Sequence, residues 1–208
     1  MKQKVFNLII VDESGSMDII RKQAFSGMNE TLQTVRQMQQ QYPDKEQRVS
    51  LVSFDSDHTK WHYDNTPAEE AKGLEWNDYQ PCGCTPLYDA MGMAMSKVNA
   101  QASKDDSVLV TVITDGEENA SREWTLKMVR SFIEKQKEQG WTVTLIGTDN
   151  LDVESMAHSM AIDDHLMFAE DAEGTSKMFA RERKSRMRFN ACLAACKPMM
   201  KGDFFKEE

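Results

Sequence analysis

Positive charge is in short supply in this chain: 25 Lys and Arg stand against 34 Asp and Glu over 208 residues, a formal charge of −9 at pH 7. A protein that grips nucleic acid through its phosphates needs net positive potential, so a general nucleic-acid binder is disfavoured. The basic run at residues 181–188 (RERKSRMR) is a local exception, expected as the solvated face of a C-terminal helix. Long apolar runs are also missing. Nothing approaches the roughly 18 apolar residues that would cross a membrane. The N-terminal apolar run is short and leads straight into Asp12, unlike a secretory leader, so a cytoplasmic protein is expected.

Cysteine is scarce, with four residues placed as Cys82-Gly-Cys84 and Cys192-x-x-x-Cys196. Neither spacing is that of a common zinc knuckle, and cytosolic thiols are expected to stay reduced. A helical i, i+4 pair also points its Cβ atoms poorly for a disulfide. The loop lengths permit a zinc site built from His58, His62, Cys82 and Cys84, but nothing in the pattern requires one. No internal repeat, low-complexity linker or composition break divides the chain, and one domain is the economical reading.

What is present is an alternation of apolar and amphipathic stretches. Residues 5–11 form an apolar run of the kind that makes a buried parallel strand. Ile20, Ala24, Met28, Leu32, Val35, Met38 and Tyr42 then recur at helical spacing, up to Pro43. Residues 48–54 are a second strand, and residues 59–63 a third, close enough to form an antiparallel hairpin. Thr85-Pro86 opens a second helix, with Thr85 expected as its cap and Pro86 as its first residue. The most apolar strand, residues 108–113, ends at Thr114-Asp115-Gly116. Further elements are expected as a helix over 122–139, a strand over 141–147, a short helix over 153–160, a strand over 165–168 and a last helix over 176–196. The tail, 197–208, is expected to be loosely held. This order implies a doubly wound α/β fold, a mostly parallel sheet with helices on both faces.

In such a sheet ligands bind at the carboxyl ends of strands, near the point where strand order reverses. Asp12-x-Ser14-Gly15-Ser16 follows the first strand, Thr85 opens the second long helix, and Asp115 follows the most apolar strand. Each has a plain explanation alone: Ser14 or Ser16 as a helix cap, Asp12 as a turn residue, Gly15 for backbone freedom, Thr85 as a cap. Their convergence on one rim is not explained that way. Two carboxylates and three hydroxyls are hard oxygen donors, suited to magnesium, manganese or calcium and unsuited to zinc or copper. Two aspartates neutralise a divalent cation, and neutral hydroxyls leave it with an appetite for one more anionic oxygen.

Asp12-x-Ser14-Gly15-Ser16 with Thr85 and Asp115-Gly116 resembles the metal-ion-dependent adhesion site of von Willebrand factor type A domains. The resemblance covers residues 3–170. It implies a sheet of about six strands with one antiparallel edge, within the doubly wound class. It implies further that Ser14, Ser16 and Thr85 ligate a cation through their hydroxyls, with Asp12 and Asp115 binding directly or through water. A domain over 1–170 followed by a C-terminal helix and tail over 171–208 is expected. Without leader or disulfides, the chain looks more like the intracellular bacterial members, which stand alone as adaptors or accessory subunits. The implied function is a metal-dependent protein-binding module, not an enzyme, that captures an exposed Asp or Glu of another protein. The competing reading is a metal-assisted phosphohydrolase or another hydrolase at the same strand ends. It lacks a Gly-x-Ser-x-Gly elbow, an Asp two residues after Asp12 and a P-loop. Glu117 and Trp61 are candidate rim contacts.

Overall fold

The computed structural model describes residues 2–197 and 199–206. Its strands are β1 (Gln3–Asp12), β2 (Lys45–Phe54), β3 (Thr59–Pro67), β4 (Ser107–Thr114), β5 (Thr142–Thr148) and β6 (Asp164–Phe168). Its α-helices are α1 (Arg21–Gln41), α2 (Leu87–Gln101), α3 (Leu126–Glu138), α4 (Val153–Ser159) and α5 (Ala172–Ala194). The six strands form one sheet in the order β3-β2-β1-β4-β5-β6, parallel throughout except for the antiparallel β2–β3 pair. The doubly wound α/β expectation and its antiparallel edge both hold.

Alternation along β1 explains the layers. Val5, Ile9 and Val11 face one apolar layer shared with α1 and α5, whereas Phe6, Leu8 and Ile10 face the other, shared with α2, α3 and α4. Buried on both faces, β1 and β4 have no polar alternation to show, so they read as continuous apolar runs. From β1 the chain winds one way to β2, then crosses back to lay β4 on the other side. The reversal therefore falls between β1 and β4, whose carboxyl ends carry Asp12 and Asp115.

Several boundaries differ from expectation. Helix α3 starts at Leu126, not near 122, because the Asp89 carboxylate on α2 takes the backbone N–H groups of Arg122, Glu123 and Trp124 at 2.6–3.0 Å. Those amides are satisfied outside any helix, and Thr125 caps the helix that follows. Helix α5 starts earlier, at Ala172, because Asp171 accepts from Gly174 N. Helix α2 begins at Leu87 with Pro86 as its cap residue, so Thr85 lies one residue outside and caps nothing.

The tail corrects two expectations together. Phe204 and Phe205 are buried, Phe204 packing on Phe189 of α5, so the described part of 197–206 is held. Phe204 N also donates to the Asp164 carboxylate at 2.7 Å. Pro198, Glu207 and Glu208 lie outside the described residues. The basic run is not a uniformly solvated face. Arg181 and Arg188 donate to tail carbonyls, and Arg186 is wholly buried against Glu182. One turn of α5 thus points its charges inward, beyond what a charge count reveals.

Candidate functional site

Strand parity places the first groups. Asp12 and Thr114 lie one step beyond the last β1–β4 pair, Val11 and Ile113, with the same parity as Ile10 and Val112, so both side chains leave the sheet on the α2 side. Thr114 Oγ1 donates to Asp12 Oδ2 at 2.6 Å, and Ser14 N donates to Asp12 Oδ1 at 2.8 Å. Asp12 is thus the turn residue of the plain reading, and its carboxylate is also locked in orientation. Burial pushes its carboxyl above the usual range, against the pull of the Thr114 and Ser14 hydrogen bonds.

Ser14 stands at the head of the short 3-10 helix Gly15–Ile20, yet its hydroxyl makes no cap. Instead Ser14 Oγ lies 3.2 Å from Ser16 Oγ, and Ser16 Oγ donates to Asp115 Oδ1 at 2.8 Å. The capping explanation for Ser14 therefore fails. Gly15 has no positive φ, and a Cβ there would meet only ordinary contacts near 3.6 Å, so backbone freedom does not account for it.

Asp115 is the chemically incomplete member. Its Oδ2 is buried and, alone among the four carboxylate oxygens of Asp12 and Asp115, has no hydrogen-bond partner. Burial raises its carboxyl to about 6 despite the Ser16 hydrogen bond, and the nearby charges of Asp12 and Glu170 push the same way. An orphaned acceptor in a folded interior is uncommon and calls for a cation or proton donor. Thr85 completes the group from a third segment. A Cβ on Gly116 would sit 2.9 Å from Thr85 Oγ1, so glycine after Asp115 is what lets that hydroxyl approach. Thr85 is itself pinned through Asn119, whose Oδ1 accepts from Thr85 N at 2.8 Å and whose N donates to Thr85 O at 3.1 Å.

The supporting residues escaped sequence reasoning. Tyr79 donates its hydroxyl to Asp12 O at 2.6 Å, and the Glu13 carboxylate accepts from Gln80 N, tying the 79–85 loop to the first turn. Only Thr114 carried a usable signal, through its parity with Asp12. Trp61, expected on the rim, instead carries Lys97 of α2 over its ring at 4.1 Å, whereas Glu117 is exposed beside the site. The zinc alternative is not assembled. His62 Nε2 is 2.8 Å from Ser53 Oγ, and among the described residues no group of three or more His, Cys, Asp or Glu is placed to hold a metal ion.

Asp12, Ser14, Ser16, Thr85 and Asp115 therefore gather at one end of the sheet. All are hard oxygen donors with a net charge of minus two when ionised, and one buried oxygen is unpaired. That chemistry fits a magnesium-, manganese- or calcium-class cation and not a soft one.

A family model described as von Willebrand factor type A domain matches residues 8–181. No curated protein sequence matches the chain. Among solved structures, proximal thread matrix protein 1 from the mussel byssus superimposes with a TM-score of 0.62 at 15% identity, over 88% of this chain and 46% of that one. The PilB minor pilin from Streptococcus sanguinis gives 0.59 at 14% identity, over 90% of this chain and 62% of that one. The vWF domain of the type V pili tip protein Mfa5 from Porphyromonas gingivalis gives 0.63 at 11% identity, over 97% and 98%. The chain thus spans about half of the mussel protein and under two thirds of the minor pilin. At these identities the likeness is one of fold.

Proposed function

Because this chain belongs to the von Willebrand factor type A domain family, we propose that it is a non-enzymatic protein-binding module whose rim holds one divalent cation. Asp12, Ser14, Ser16, Thr85 and Asp115 are the holding residues. The observation that carries the reading is the buried, unpartnered Oδ2 of Asp115, on a carboxylate whose other oxygen ends a chain of hydroxyls from Ser14 and Ser16. Magnesium, manganese or calcium bound there supplies a Lewis-acidic position open to one more anionic oxygen.

The protein's own groups do the rest. Asp12 and Asp115 supply the countercharge, and the neutral hydroxyls of Ser14, Ser16 and Thr85 add donors without adding charge. Thr114 and the Ser14 amide hold the Asp12 carboxylate in place, so little ordering remains when the site fills. Asn119 fixes Thr85 on its separate loop. The partner is another protein, contributing an exposed Asp or Glu; exposed Glu117 helps select it by repelling partners whose acidic residue is not matched by nearby positive charge.

A bacterial cytosol suits the four free thiols, and among the described residues no helix is long and apolar enough to cross a membrane. The domain placed over 1–170 continues into α5, which packs in the same core layer as α1. The test is a pull-down from the native cell with wild-type protein, with chelator, and with Asp12→Ala. Partners retained by wild type and lost in both other arms support the reading. The same partners retained in all three arms contradict it.

A further inference from the structure

We propose that Cys82 and Cys84 are a reversible modification site, a dithiol whose closure to a disulfide resets the rim. The resetting half rests on the cation site described above.

Both residues are exposed free thiols. Two positions apart, their Cα atoms lie at most about 7 Å from one another in an extended chain. Gly83 between them has φ +70°, a conformation glycine adopts freely, and the limit of about 7 Å lies near the upper end of the span of about 4.4–6.8 Å found in protein disulfides. The Cys82 thiol is already engaged. It donates to Asp55 Oδ2 at 3.3 Å, while Asp55 Oδ1 is fixed by the amides of Asp57 and His58 at 2.6 and 2.7 Å. Asp55 therefore holds the Cys82 sulfur, and closure requires Cys82 to leave it.

The backbone of this turn is wired into the site. Cys82 N donates to Glu13 O at 2.8 Å, and Gly15 N donates to Gly83 O at 3.2 Å. Cys84 N donates to Ser56 Oγ at 3.1 Å, and the next residue is Thr85. The dithiol is thus hydrogen-bonded to the turn bearing Ser14 and Ser16 and is continuous with the third hydroxyl. Contracting the turn pulls on Gly15 from one side and Thr85 from the other.

The oxidant is a small-molecule disulfide. One thiolate attacks it, breaking the S–S bond and releasing one small thiol. The second protein thiol then attacks the mixed disulfide and releases the other. Two S–H bonds on the protein are lost, one S–S bond forms, and the small disulfide leaves as two thiols. A bridge enclosing a single residue is strained, and strained, exposed bridges are the readily reduced ones, which suits a switch and not a staple. Transient bridges of this kind are the sort compatible with a reducing compartment.

The experiment uses the full chain carrying Cys192→Ser and Cys196→Ser, treated with oxidised glutathione. The peptide spanning 82–84 should lose two hydrogens by mass and regain them with dithiothreitol. Manganese affinity by calorimetry should be about tenfold or more weaker in the bridged form, the scale of disturbing groups that orient metal ligands. Glutathione attached singly to either sulfur, with no bridge, would overturn the dithiol closure. A bridge that leaves manganese affinity unchanged would overturn the resetting of the rim. A reduced protein that takes no manganese would overturn the cation site and the coupling with it, while the bridge is still judged on mass.

Discussion

Replacing Arg186 by Met probes how α5 is fastened to the sheet. Arg186 donates to Glu182 Oε1 from Nε at 2.8 Å and from Nη2 at 2.5 Å, to Asn7 Oδ1 at 2.7 Å and to Thr111 Oγ1 at 3.0 Å. Both charged residues are essentially inaccessible, and Glu182 Oε2 already lacks a partner. Arg186→Met strands the Glu182 carboxylate in the interior. Breaking one half of a buried pair costs about 3–5 kcal/mol, far more than the pair itself contributes. The double variant Arg186→Met with Glu182→Leu removes the stranded charge, while Asn7 Oδ1 and Thr111 Oγ1 lose their donor in both variants at about 1–3 kcal/mol each, so the single variant carries the charge penalty in addition. Urea unfolding followed by circular dichroism should therefore rank wild type above the double variant and the double variant above the single, at similar m-values. A single variant within about 1 kcal/mol of wild type would refute the reasoning, as would a double variant worse than the single.

Three further outcomes follow from the same geometry. Phe204→Ala should cost about 3–5 kcal/mol in chemical denaturation, because its ring is fully buried, whereas a loose tail would make it silent. In metal-free protein burial raises Asp115 from 3.8 to about 6, so its contribution to stability is fully present below the unfolded value and lost as pH rises through about 6. The stability of Asp115→Asn relative to wild type should accordingly improve across that window, and a difference independent of pH would refute it. Asp12→Ala and Asp115→Ala should abolish partner binding measured with purified partner, whereas Thr85→Ala, which removes a neutral group, should weaken it by about tenfold to a hundredfold; equal effects of all three would contradict the separate roles.

The strands are legible because β1 and β4 are buried on both faces, which forces continuous apolar runs, and Asp12, Ser14, Ser16 and Asp115 are legible because they end or directly follow those runs. What stayed hidden depends on partners distant in sequence. Asp89 satisfying the amides before α3 leaves no local mark, so the sequence pattern alone starts the helix too early. Thr85 looked like a cap because Thr-Pro usually is one, yet its amide and hydroxyl serve Asn119 and the rim. The run at 181–188 read as solvated because composition cannot tell which turn of a helix faces Asn7 and Thr111. Phe204 and Phe205 were the one available hint that the tail returns to the core.

The central claim, that the rim holds a cation through Asp12, Ser14, Ser16, Thr85 and Asp115, is met most directly by calorimetry of magnesium and manganese binding to the reduced, tag-free protein beside Asp115→Asn. The account predicts one site per chain in wild type, competed by chelator and lost in a variant whose circular dichroism matches wild type. Absence of binding to wild type, or equal binding to both proteins, would contradict it.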